Sequence, residues 1–233
     1  VLVAEAIPDA AIVGVLRPFV RACAPLIDRL READPFGARV ADRLARVHMP
    51  GTEAWRAMTP RRRTDWWVNR VGRFTTIVAA IPGLGGALAQ RFPVTDAVGA
   101  ASQGLLLCAI AGEHGITDTP TRVRLLGSVL FGREISAELA SGQRHDEDER
   151  TAELREGTEH RAPVRTAARA VYRLGRALLA AGAELERRPR GRWYHRAVGL
   201  IPVVGVLGGY LGERSGLKRA SRKALRWIER NHA

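Results

Sequence analysis

The sequence predicts an all-α fold, a single helical bundle, and three observations predict it. Hydrophobic residues make up 46% of the chain but aromatics only 6%. Ala and Gly therefore carry much of the apolar content and β-branched runs stay short, which suits closely packed helices better than sheets. Apolar residues recur at steps of three and four in most segments, the period of a helix with one buried face. Finally, the stretch Ile81 to Gly112, IPGLGGALAQRFPVTDAVGAASQGLLLCAIAG, has a second copy of its opening at Ile201, IPVVGVLGGYLG. Two proline/glycine apolar helical hairpins related by an approximate repeat are thus expected inside the bundle. The expected division is N-terminal helices at 1–58, a first helical half at 59–140, an acidic linker at 141–160 and a second half at 161–233.

The element order follows from local signals. From Pro8 to about Met49 the pattern is helical, with Pro18 and Pro25 as starts or kinks and Asp34-Pro35 as a break. Val13, Leu16, Val20, Leu26, Ile27 and Leu30 are expected to face inward, and Arg17, Arg21, Arg29 and Arg31 outward. His48 suits the C-terminal end of a second helix. Thr59 can cap the next helix, with Pro60 in its first turn. That helix opens on Arg61, Arg62 and Arg63 beside Trp66 and Trp67 and runs to Ala80. Two readings fit the Arg/Trp cluster: a belt at a headgroup layer, or a Trp pair in the core with solvated arginines.

Pro93-Val94-Thr95-Asp96 starts the following helix, Thr95 as cap and Asp96 in the favourable first turn. Its Ala97, Ala101, Gly104, Cys108 and Ala111 form a face nearly free of side chains, so another helix can approach backbone-close, as helices in or beside lipid do. Glu113-His114 before Gly115 reads as a C-terminal cap rather than a metal site. Thr119-Pro120 opens a helix carrying Val123, Leu126, Val129 and Leu130 inward to about Leu139. Ser141 to Thr158 has a dense acidic run and little apolar periodicity. A mobile linker or a short solvated helix is expected there, and His145, Asp146, Asp148 and Glu149 read as solvated charges rather than metal ligands.

In the second half Val164, Ala168, Val171, Gly175, Leu178, Gly182 and Leu185 make a narrow seam, with Arg161, Arg165, Arg169, Arg173 and Arg176 away from it. A basic-aromatic cluster at Arg187 to Arg196, which includes Arg190, Arg192, Trp193 and Tyr194, precedes the second Ile-Pro segment as Arg61 to Trp67 precedes the first. Gly205 and Gly209, and Gly208, Gly212 and Gly216, have glycine-zipper spacing. Arg214, Lys218, Arg222, Arg226 and Arg230 then recur every four residues opposite Leu217, Ala220, Ala224 and Trp227, a basic amphipathic helix.

Lys+Arg number 37 against 24 Asp+Glu, a formal net charge of +13, which predicts attraction to a polyanion, either nucleic acid or an anionic membrane. Lys218 and Lys223 are the only lysines, an Arg bias that GC-rich coding accounts for. Cys23 and Cys108 make no disulfide framework and no zinc spacing. Acidic Glu5 and Asp9 do not suit a secretory signal. A cytoplasmic position, peripheral to the inner face of the cell membrane, is expected. The uncharged stretches at Phe74 to Gln90, Ala97 to Gly112 and Ala197 to Gly212 fall short of the about 20 residues of a spanning helix.

The proline-glycine hairpin, the P-V-T-D helix start with Gln103 and Leu105 to Ala111, the RVRLLGSVLFG helix, and IPVVGVLGGYLG before a basic helix together resemble the EcsC family over roughly Trp66 to Trp227. The resemblance implies an α-helical, membrane-associated protein, with an ABC transporter as a partner, and supplies no catalytic residues. The acidic insertion and the helices before Trp66 are not placed by the resemblance.

The leading expectation is a non-enzymatic peripheral membrane or lipid-binding protein. Anionic headgroups would meet Arg61, Arg62, Arg63, Arg190, Arg192, Arg214, Lys218, Arg222 and Arg226. Trp66, Trp67, Trp193 and Tyr194 would sit at the interface, and Ile81, Pro82, Leu84, Ile201, Pro202 and Val203 would form the apolar insert. Nucleic-acid binding through the same basic clusters is the alternative, although no reader motif is present. A lipid hydrolase is the second: no GxSxG, HExxH, P-loop or paired Cys/His set occurs, so it would need Ser102, Asp96 or His114 to converge in a pocket. No cofactor is expected. Opposite charge also raises the hypothesis that the acidic segment docks onto a basic face.

Overall fold

The computed structural model describes residues 8–31, 50, 52–79, 94–142, 147–156, 158, 164–186 and 209–231. Among them every regular element is an α-helix. The order is α1 (Asp9–Arg31), α2 (Glu53–Ala57), α3 (Pro60–Ala79), α4 (Val94–Glu113), α5 (Thr119–Phe131), α6 (Ala137–Ser141), α7 (Glu147–Arg155), α8 (Val164–Glu186) and α9 (Gly209–Asn231). Asp34-Pro35, His48, His145, Asp146 and the two Ile-Pro hairpin corners lie outside the described residues.

The bundle is built around α4. Ala97, Val98 and the whole run from Ala100 to Ala111 are buried, and α1, α3, α5, α8 and α9 pack about it. Small residues permit that enclosure. A Cβ on Gly175 of α8 would lie 1.7 Å from the carbonyl oxygen of Ala97, so the two backbones touch. A Cβ on Gly104 would meet the Phe19 ring at 2.4 Å and Leu178 at 3.3 Å, which places α1, α4 and α8 in one junction. The expected seam of α8 is buried at Ala168, Val171, Gly175 and Leu178, with Arg165 and Arg169 exposed.

The ends of these helices follow from capping. Thr59 accepts from the N–H of Arg62 at 3.4 Å, ahead of Pro60. Asp118 accepts from the N–H of Thr121 at 2.7 Å and opens α5. At the end of α4 the N–H of Ile116 donates to Ala111 O at 2.9 Å and that of Gly115 to Gly112 O at 3.2 Å. Gly115 has φ +78°, and together these bonds form a Schellman turn, the expected C-terminal cap.

Pro18 and Pro25 lie inside one continuous helix, not at helix starts. Three local expectations need correction. Helix α4 starts at Val94, so Thr95 stands in the first turn with Asp96. Helix α5 stops at Phe131, since Gly132 turns left-handed at φ 63°, and Ile135 then folds back against Gly127. Arg17 and Arg29 are buried rather than outward. Arg17 donates through Nη1 to Ala140 O at 3.0 Å and to Gly142 O, supplying the open carbonyl end of α6.

Helix α1 is long and apolar enough to cross a membrane, and 67% of that stretch is buried inside the bundle. Residues 147–155 of the acidic segment are helical and pack along α1. One continuous core of buried residues runs from Ile12 to Ile228.

Candidate functional site

Two groups of side chains are candidates for a site. The first is an aromatic node. Nε1–H of Trp55 donates to Glu113 Oε2 at 3.1 Å, and Nε1–H of Trp67 donates to Glu113 Oε1 at 3.2 Å. Trp66 stands edge-on between them, its ring centroid 5.1 Å from Trp55 and 5.0 Å from Trp67. Arg70 lies 5.2 Å over Trp66, Arg63 6.0 Å over Trp55 and Arg31 6.0 Å over Trp67, within reach of the cation–π attraction. One carboxylate on the last turn of α4 thus ties α2 and α3 to the central helix.

The Arg/Trp cluster divides between its two readings residue by residue. Trp67 is fully buried, which corrects its expected place at an interface: its indole fills the core and its N–H is used by Glu113. Trp66 is half-buried, and Arg61 and Arg62 are exposed. Arg63 donates to Met58 O at 3.2 Å and Arg56 O at 2.9 Å, closing the carbonyl end of α2. Burial of the adjacent His114 lowers its pKa, with Glu113 raising it, Arg63 lowering it and Glu229 raising it in turn.

The second group is the outer face of α9. Leu217, Ala220, Ala224, Trp227 and Ile228 are buried, while Lys218, Arg219, Arg222, Arg226 and Arg230 are exposed. Nε of Arg222, Arg226 and Arg230 donates to the carbonyl four residues earlier, at 3.2, 3.4 and 3.3 Å, which lays these side chains along the helix. The positive charges crowd one another: the pKa of Lys223 is lowered by burial and then by Arg219 and Arg226. Arg214 lies on α9, with its side chain outside the described residues.

Helices α3 and α9, which carry parts of the two groups, pack against each other. A Cβ on Gly72 would meet Leu217 at 3.7 Å, and His114 senses both Arg63 at the start of α3 and Glu229 at the end of α9. The helices therefore run antiparallel. At about 1.5 Å per residue from that crossing, Arg61 comes level with Ile228.

Ile81, Pro82, Leu84, Arg190, Arg192, Trp193, Tyr194, Ile201, Pro202 and Val203 lie outside the described residues. The residues that the hydrolase reading needs do not converge. Ser102 is buried and donates to Val98 O at 2.8 Å, and Asp96 and His114 belong to opposite ends of α4, about 27 Å apart along its axis. Burial raises the Asp96 pKa. Among the described residues no three His, Cys, Asp or Glu side chains are grouped as a metal site would need.

Trp55, Arg70 and Arg219 belong to this region and are not singled out by sequence reasoning, which reads Glu113 only as part of a helix cap and gives Lys223 no role. Arg219 and Lys223 flank the four-residue repeat of α9 and were legible from it. The Glu113 node was not, because its partners are 58 and 46 residues away in the chain. The chain matches no protein-family model, and no curated protein or solved structure is significantly similar to it.

Proposed function

We propose that the protein is a non-enzymatic, peripheral membrane or lipid-binding helical protein of EcsC-like type, working at the inner face of the cell membrane. The observation that carries the proposal is the exposed stripe Lys218, Arg219, Arg222, Arg226 and Arg230 on a helix whose other face is core. A fixed row of cations with mutual repulsion is satisfied by a surface of many negative charges rather than by one small anion. Each Lys or Arg held near an anionic leaflet is worth about 1 kcal/mol, so the stripe with Arg61 and Arg62 suffices for reversible attachment. Half-buried Trp66 beside them has the amphipathic ring suited to a headgroup layer. An ABC transporter is the protein partner that the family resemblance suggests.

Co-sedimentation with vesicles tests the proposal. The protein is expected to bind phosphatidylcholine vesicles containing phosphatidylglycerol and not phosphatidylcholine alone. Lys218→Glu, Arg222→Glu and Arg226→Glu together should weaken binding on the order of a hundredfold. Equal binding to both vesicles, or indifference to the triple reversal, rejects it. Tight retention of duplex DNA with a steep salt slope, without any vesicle preference, would give the stripe to nucleic acid instead.

A further inference from the structure

Helix α7 covers a second cationic surface. Arg17 and Arg21 stand one turn apart on α1 and share a face; the first is bonded to the end of α6 and the second to α7. Arg17 donates to the carbonyls of Ala140 and Gly142, and Arg21 Nη1 donates to Asp148 Oδ1 at 3.2 Å. At the far end Arg173 of α8 donates through Nη1 to Glu156 Oε2 at 2.9 Å and through Nη2 to the carbonyl of Glu156. The acidic segment is thus pinned at its two ends by arginines of two different helices.

Between the pins α7 packs along α1. Over residues 147–156 there are five carboxylates and two arginines. Thr151 is buried and Leu154 half-buried, while Asp148, Glu149, Glu153 and Glu156 are exposed. A helix of 9 residues is too short to persist by itself in water, so its helical state depends on docking. Ion pairs as exposed as these are individually weak and are screened by competing charge.

We infer that α7 is an autoinhibitory strap, occupying a cationic groove between α1 and α8 whose arginines bind the phosphates of an anionic bilayer once it leaves. This rests on the membrane-binding reading above. Docked, α7 neutralises Arg21 and Arg173 and turns its remaining carboxylates toward any bilayer approaching that side. An anionic surface competes with the strap for the same guanidinium groups, and apparent affinity is reduced by the fraction of molecules that keep it closed.

Two charge-matched variants of the full chain test this. Asp148→Asn with Glu156→Gln removes both pinning carboxylates; Glu149→Gln with Glu153→Gln removes as many charges from the exposed side. The first is expected to bind phosphatidylglycerol-containing vesicles roughly threefold to tenfold more tightly than the second, and to exchange the amides of 148–156 with deuterium faster. Adding Arg21→Ala and Arg173→Ala should abolish that gain, whereas the triple reversal on α9 should leave the ratio of the two variants unchanged. Equal affinity of the two variants, with wild-type vesicle binding intact, overturns the strap alone. A wild type without preference for anionic vesicles overturns the proposed function, while a gain that still needs Arg21 and Arg173 would keep the strap.

Discussion

Gly175 is where one atom decides how two helices pack. Its missing Cβ would stand 1.7 Å from Ala97 O and 2.4 Å from Ala97 C, both backbone atoms that no rotamer change can move. Gly175→Ala is therefore expected to push α8 off α4 and to destabilise the protein by about 2 kcal/mol or more. Gly72, inside α3, is the contrast. Among the described residues its added methyl would meet Leu217, at an ordinary 3.7 Å, so Gly72→Ala should be neutral or stabilise by up to about 1 kcal/mol through helix propensity. Urea unfolding of the two variants checks the pair, and equal destabilisation would mean that close backbone approach is not what Gly175 provides. The seam was legible, because Ala168, Val171, Gly175 and Leu178 are spaced as one helix face and Ala97, Ala101, Gly104 and Cys108 as another. Which glycine meets which carbonyl was not, since register between two helices is set by the packing of both.

At the scale of the element, periodicity reads an isolated helix well and its neighbours badly. In α9 the buried and exposed faces follow the repeat. In α1 the same reasoning puts Arg17 outside, and it is buried. The difference lies in what covers each helix: Arg17 meets carbonyls that a helix 123 residues further along the chain leaves open, and no local pattern encodes that. Arg17→Met keeps the aliphatic bulk but leaves the end of α6 without its donor, and should cost about 1–3 kcal/mol. Arg165→Met on the exposed side of α8 should stay within about 0.5 kcal/mol. Thermal unfolding of both, with an equal shift as the contrary result, separates an arginine used as a helix cap from one that is only solvated. The acidic segment shows the same limit. Its low apolar content predicts a solvated helix or a linker, and its side chains are largely exposed, yet its position on α1 depends on arginines of α1 and α8.

Over the whole molecule, the two halves that the repeated Ile-Pro openings suggest share one core. Helix α4 comes from the first half, and α8 and α9, which cover much of its circumference, come from the second. A buried helix whose 100–111 run is enclosed on all sides cannot keep that enclosure when α8 and α9 are removed, because the uncovered Leu and Ile side chains would each lose about 1.5–3 kcal/mol of burial. Residues 1–160 by themselves are thus expected to retain helical far-UV dichroism but to lose the near-UV signal of Trp55 and Trp67 and the cooperative thermal transition, the marks of a collapsed state without fixed packing. Adding residues 161–233 in trans should restore both signals, since the α4–α8 contact is a complementary fit of two small-residue faces rather than a covalent requirement. A fragment that melts cooperatively at the temperature of the full chain would show instead that the first half is an independent domain, with α8 and α9 attached to its surface.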